Sequence, residues 1–180
     1  MKHRKELVQR LIAGVAALAL AQGATPGGEC PKLHGQTLDG KSVVLPDIGA
    51  GKVMLIIVGA SRKGGERTDA WKSRFIGDFG SNPRATYYVA ALLESVPAPF
   101  RGMIRAGMRR GTPEAARKHV LTCASDEATW KKYLAMNDDS LPGVVLLDES
   151  GRLLWNYTGT FDLDHYQALK AAALGVLQHS

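Results

Sequence analysis

The chain has 180 residues, 45% of them hydrophobic and 22% charged, with a formal net charge of +6. That length and apolar content suit one domain with a full core, and the lack of a repeat or low-complexity tract excludes solenoid, collagen-like and disordered classes. His34, His119, His165 and His179 lack metal-ligand spacing, so no metal is expected, and no cofactor is expected either.

Residues 1–21 carry the pattern of a secretory signal peptide. Lys2, Arg4, Lys5 and Arg10 form a basic start, Leu11–Ala21 is apolar or small throughout, and Ala19-Leu20-Ala21 offers a cleavage site before Gln22. The apolar run is short for a membrane span, and Glu6 counts against a mitochondrial presequence. Gly28-Glu29 before Cys30 is not a lipoprotein box. A periplasmic or secreted mature protein is expected. Removing four basic residues and one acid leaves 19 against 16, a net of +3. Residues 98–119 hold six basic residues against Glu114, or +5, so the rest nets −2. The charge is one basic segment, not a global field, and nucleic acid is not an expected partner.

Residues 22–32 read as a flexible Pro/Gly-rich tether, and 33–180 as the folded domain. Asp39-Gly40 within Gly35–Leu45 signals a β-hairpin, closed by Pro46-Asp47. Val53–Val58 is a continuous apolar run that ends at Gly59-Ala60-Ser61 and reads as a buried parallel strand. A loop, Ser61-Arg62-Lys63-Gly64-Gly65, leads to a helix over 66–79. Thr86–Leu92 is a second buried strand, 98–110 a helix, 119–123 a brief strand, and Ser125 caps a helix from 126 to about 135. Gly143–Leu147 and Leu153–Tyr157 pair across a turn at 148–151. A last helix over 162–177 buries Leu163, Tyr166, Leu169, Ala173 and Val176. The order predicts an α/β fold, a mixed sheet with helices on both faces, an N-terminal β-hairpin and an inserted α-β unit at 98–123.

That order, carried by TLDGKSVVLPD, VMLIIVGAS and SLPGVVLLDESGRLLW, resembles the thioredoxin-like superfamily. The resemblance implies a cis peptide bond at Pro142. It also implies a Cys-x-x-Cys or Thr-x-x-Cys motif at the head of the first helix, where this chain reads Ser61-Arg62-Lys63-Gly64. A dithiol is needed because one thiolate resolves the mixed disulfide formed by the other. A narrower resemblance, over LIIVGASR, DAWKSRF, PFRGMIRAGMRRGTPEAARKH and LLDESGRLLW, is to the assembly factor of the mitochondrial ATP synthase membrane sector. It implies a thioredoxin-like chaperone without the dithiol.

Three readings of Cys30 and Cys123 are open: apolar filling, a bridge between them, and a reactive thiol at Cys123. On the helix at 98–110, Arg101, Arg105 and Arg109 repeat at every fourth residue beside Phe100, Met103, Ile104 and Met108. This is either a solvated basic face or an amphipathic contact with an anionic membrane or a membrane-protein client. The candidate binding residues are therefore Ser61, Arg62, Lys63 and Pro142 at the loop, with Phe100, Arg101, Arg105 and Arg109 on the helix. The expected function is non-catalytic binding of a protein or peptide client, a membrane-associated one included. The alternative is a thiol-dependent oxidoreductase using Cys123, with or without Cys30.

Overall fold

The structure is a computed structural model and describes residues 24–178. The signal-peptide pattern at 1–21 lies outside the described residues. Seven strands, β1 (Leu33–Thr37), β2 (Ser42–Leu45), β3 (Val53–Gly59), β4 (Ala85–Leu92), β5 (Val120–Cys123), β6 (Gly143–Leu147) and β7 (Leu153–Thr158), form one mixed sheet in the order β2-β1-β5-β4-β3-β6-β7. The pairs β3–β4 and β4–β5 are parallel and the others antiparallel. The helices are α1 (Arg62–Glu66), α2 (Thr68–Phe79), α3 (Ala98–Gly111), α4 (Glu127–Tyr133) and α5 (Leu163–Leu177).

Every residue of β3 is buried, which explains its unbroken apolar run. Alternation divides it between two cores. Met54, Ile56 and Val58 face a layer with Trp130 and Leu134 of the α4 region. Val53, Leu55 and Ile57 face Trp71, Phe75 and Phe79 of α2 and Tyr166, Leu169 and Ala173 of α5. β6 divides the same way, Val145 and Leu147 against Val144 and Leu146. Helices on both faces are thus required by the strand pattern. Each fully buried Val, Leu or Ile here contributes about 1.5–3 kcal/mol.

The expected hairpin forms: β1 and β2 pair from Leu33↔Leu45 to Gln36↔Ser42, and Gly40 takes φ +102° in the turn. Its far edge is free of further strands, whereas β1 joins the sheet through β5. Residues 24–29, within the expected tether, are tied to the sheet end: Gly27 N–H donates to Leu153 O at 2.8 Å and Leu153 N–H to Gly28 O at 3.0 Å.

Several local expectations change. The cis peptide bond among the described residues is Leu45-Pro46, so Leu141-Pro142 is not cis. The turn before Pro142, closed by Leu141 N–H on Asp138 O, feeds β6 directly, with Pro142 O accepting from Gly159 N–H. Leu163, the first residue of α5, is 57% exposed; Tyr166, Leu169 and Ala173 carry the buried stripe.

Candidate functional site

β3 ends at Gly59, and the chain turns at once into α1. A β-carbon on Gly59 would lie 2.9 Å from Gly65 N, so the turn closes tightly because residue 59 has no side chain. The expected loop at 61–65 is already helix. Ser61, extended at φ −145°, is its cap: Ser61 Oγ accepts from Gly64 N–H at 3.1 Å. Two glycines at 64 and 65 hid this helix from propensity, and the serine at the cap was the available signal. α1 and α2 break at Arg67, where Thr68 Oγ1 donates to Gly65 O at 2.7 Å.

The turn before Pro142 covers the head of α1. Ser61 Oγ donates to Asp139 O at 2.7 Å, and Arg67 Nη1 donates to Ser140 O at 2.7 Å. A β-carbon on Gly64 would stand 2.6 Å from Asp139 O. Asp138 is held below the usual carboxylate range by the N–H and hydroxyl of Ser140. Ser61, Arg62 and Lys63 are exposed, and Arg62 pairs with Glu66 at 3.0 Å. Pro142 is buried beneath this turn and offers no exposed surface.

From this point a polar chain runs along the C-terminal edge of the parallel strands. Lys131 Nζ lies 2.9 Å from Asp139 Oδ2 and 2.8 Å from Glu127 Oε1. Glu127 Oε2 accepts from Ser95 N–H at 3.0 Å, and Glu127 N–H donates to Glu94 Oε2 at 2.9 Å. Burial disfavours the Glu127 charge, but Lys131 and the Ser95 N–H outweigh it and hold the carboxyl below its ordinary range. Ser125 does not cap α4. The cap position is Asp126, in the left-handed region at φ 68°, and its carboxylate accepts from His34 N and lies 2.9 Å from His34 Nδ1. The carboxylate of Glu94 supplies the helix-end acceptor instead. None of Asp139, Lys131, Glu127 or Glu94 stood out in the sequence, apart from the i,i+4 spacing of Glu127 and Lys131.

The next link is α3. Arg101 donates to Val96 O and Glu94 O, both at 2.7 Å. Arg105 donates to Thr122 Oγ1 at 2.8 Å and to Gln36 Oε1. These two arginines, with the half-buried Ile104 and Met108, form the inner side of α3; Arg101 ties it to the loop at 94–96 and Arg105 to β5 and β1. No residue of α3 is fully buried. Phe100 and Met103 are 53% and 64% exposed, and Arg109 and Arg110 are exposed. The arginine ladder is therefore split: Arg101 and Arg105 bind the protein's own chain, and Arg109 faces out. No hydrogen bond or ion pair joins Phe100, Arg101, Arg105 or Arg109 to Ser61, Arg62 or Lys63.

In the structure Cys30 and Cys123 are free thiols, and both are buried. Cys30 packs beside β1 and Cys123 ends β5 opposite Leu92. Burial pushes each thiol up to about 12, with Asp126 adding to the shift at Cys123. At neutral pH neither presents a thiolate, the nucleophilic form. Among the described residues no group of three or more His, Cys, Asp or Glu side chains is placed to hold a metal ion, and no helix is long and apolar enough to cross a membrane.

No protein-family model matches the chain, and no curated protein matches it in sequence. Solved structures do. A putative thiol:disulfide interchange protein DsbE from Chlorobium tepidum aligns with a TM-score of 0.59 at 18% identity, over 84% of this chain and 99% of its own. A putative protein disulfide isomerase from Bacteroides thetaiotaomicron gives 0.60 at 17%, over 87% and 92%. BsSco, from the Sco family of cytochrome c oxidase assembly proteins, gives 0.57 at 11%, over 87% and 98%. The chain therefore has a thioredoxin-like α/β fold. The head of its first helix reads Ser-Arg-Lys-Gly and contains no cysteine.

Proposed function

We propose that this is an exported thioredoxin-like protein that binds a polypeptide client without thiol chemistry, in the manner of an assembly factor or chaperone. One observation carries the reading: Ser61 caps α1 and is bonded to Asp139, whose carbonyl occupies the space a side chain at residue 64 would need. The helix head is thus closed with backbone and hydroxyl groups, and the two thiols lie elsewhere, buried and protonated. What remains exposed there is Ser61, Arg62 and Lys63, a polar surface suited to contact rather than exchange. Support for an assembly role comes from BsSco, described as one of a family of assembly proteins. Support for export comes from the basic, apolar start of the chain and from a neighbour described as a pneumococcal exposed lipoprotein thioredoxin.

Insulin reduction by dithiothreitol tests the absence of thiol chemistry, with the background rate expected. Client binding is tested by a photo-crosslinker at Lys63 in cells expressing the full chain. A discrete adduct lost on Ser61→Trp is the expected result. Catalysed insulin reduction, or no adduct, overturns the reading.

A further inference from the structure

We propose that the outer face of α3 docks on an anionic phospholipid surface. α3 has four arginines and no acidic residue. Arg101 and Arg105 are spent on the protein's own carbonyls, Thr122 and Gln36, so they orient the helix. That orientation leaves a solvent side made of Pro99, Phe100, Met103 and Ala106, followed at the C-terminal end by Arg109 and Arg110. Arg109 and Arg110 form no ion pair with any carboxylate among the described residues.

A helix lying in a membrane interface needs this arrangement, with large apolar side chains at the acyl boundary and arginines at the level of the phosphates. Phe100 and Met103 supply the first, and Arg109 and Arg110 the second. The charge selects the occupant. A face with two outward cations and no anion complements anionic headgroups, and arginine forks match phosphate oxygens. The anchoring of α3 from below through charged hydrogen bonds keeps its outer face presented without any rearrangement of the sheet.

The test places one polarity-sensitive dye on the full chain through Ala106→Cys, since both native thiols are buried. A control carries the dye at Ser73→Cys, exposed on α2. The expected result is a blue shift at position 106 with vesicles of phosphatidylglycerol and phosphatidylcholine, none with phosphatidylcholine alone, and none at position 73. Arg109→Gln with Arg110→Gln should raise the lipid concentration for half-maximal shift roughly ten-fold or more, as should added salt, with unchanged circular dichroism. Phe100→Ser should weaken the shift without changing its dependence on anionic lipid. Three results overturn the proposal: no shift at 106, equal shifts on anionic and neutral vesicles, or equal shifts at 106 and 73. A shift at 106 with poly-glutamate but not with vesicles also overturns it, and makes the partner an acidic polypeptide.

Discussion

Gly64 and Asp139 are 75 positions apart in the chain, yet the carbonyl oxygen of Asp139 lies 2.6 Å from where a β-carbon on Gly64 would be. Glycine is what lets the turn before Pro142 rest on the head of α1. Gly64→Cys should therefore destabilise the fold by about 1–3 kcal/mol, the range for inserting atoms into a packed site. Ser61→Cys removes a cap and should cost about 1 kcal/mol. Urea midpoints of the two single variants and the double variant measure this. A Gly64→Cys protein as stable as the parent would mean that the 138–141 turn lifts freely from α1.

Arg105 and Arg109 differ by one helical turn and should behave oppositely. Arg105 joins α3 to β5 and β1 through Thr122 and Gln36, so Arg105→Ala should cost about 1–3 kcal/mol, the value for hydrogen bonds to a charged donor. Arg109 is exposed, and Arg109→Ala should fall within about 0.5 kcal/mol of the parent. Paired thermal melts decide the matter; equal losses would contradict the split ladder.

The thiols set an alkaline limit. Both are pushed up to about 12 by burial, above the ordinary thiol value of about 8.5. A raised folded-state value means that the thiols' contribution is intact below the unfolded value and is lost as pH rises from about 9 toward 12. Stability measured across that range should fall, and Cys30→Ala with Cys123→Ala should flatten the decline. Ellman's reagent should find no thiol at neutral pH until denaturant is added.

Tyr166 governs an acid limit. Its hydroxyl donates to Asp78 Oδ2 at 2.7 Å, with Arg74 O 3.1 Å away, and it is the leading cause of the lowered Asp78 value, helped by Lys170. A lowered carboxyl contributes stability that is present above about pH 4 and lost as pH falls through the folded value. Tyr166→Phe should cost about 1–2 kcal/mol at neutral pH and reduce that acid dependence. Denaturation of parent and variant between about pH 7 and 3 gives both numbers.

The sheet could be read from the sequence because its signals are local. Val53–Val58 is too apolar for anything but a strand covered twice, and Asp39-Gly40 fixes the hairpin. The first turn of α1 could not, since Gly64-Gly65 lowers helix propensity while Ser61 and Asp139 stabilise the turn across 78 positions of chain. The basic helix was legible as a helix but not in its orientation. Spacing groups Arg101, Arg105 and Arg109 together, and only the positions of Gln36, Thr122 and the 94–96 carbonyls show which of them turn inward. Ser125 reads as a cap in the sequence, which does not show that Glu94 reaches the same helix end from another element.

Cys30 and Cys123 bear on how the chain matures. Each is enclosed in the core, unbridged, with no thiolate to offer at neutral pH. The covalent structure should therefore be the same in a reducing and in an oxidising compartment. Folding should therefore need no oxidant or pairing step, and refolding in dithiothreitol should give the same protein as refolding in air.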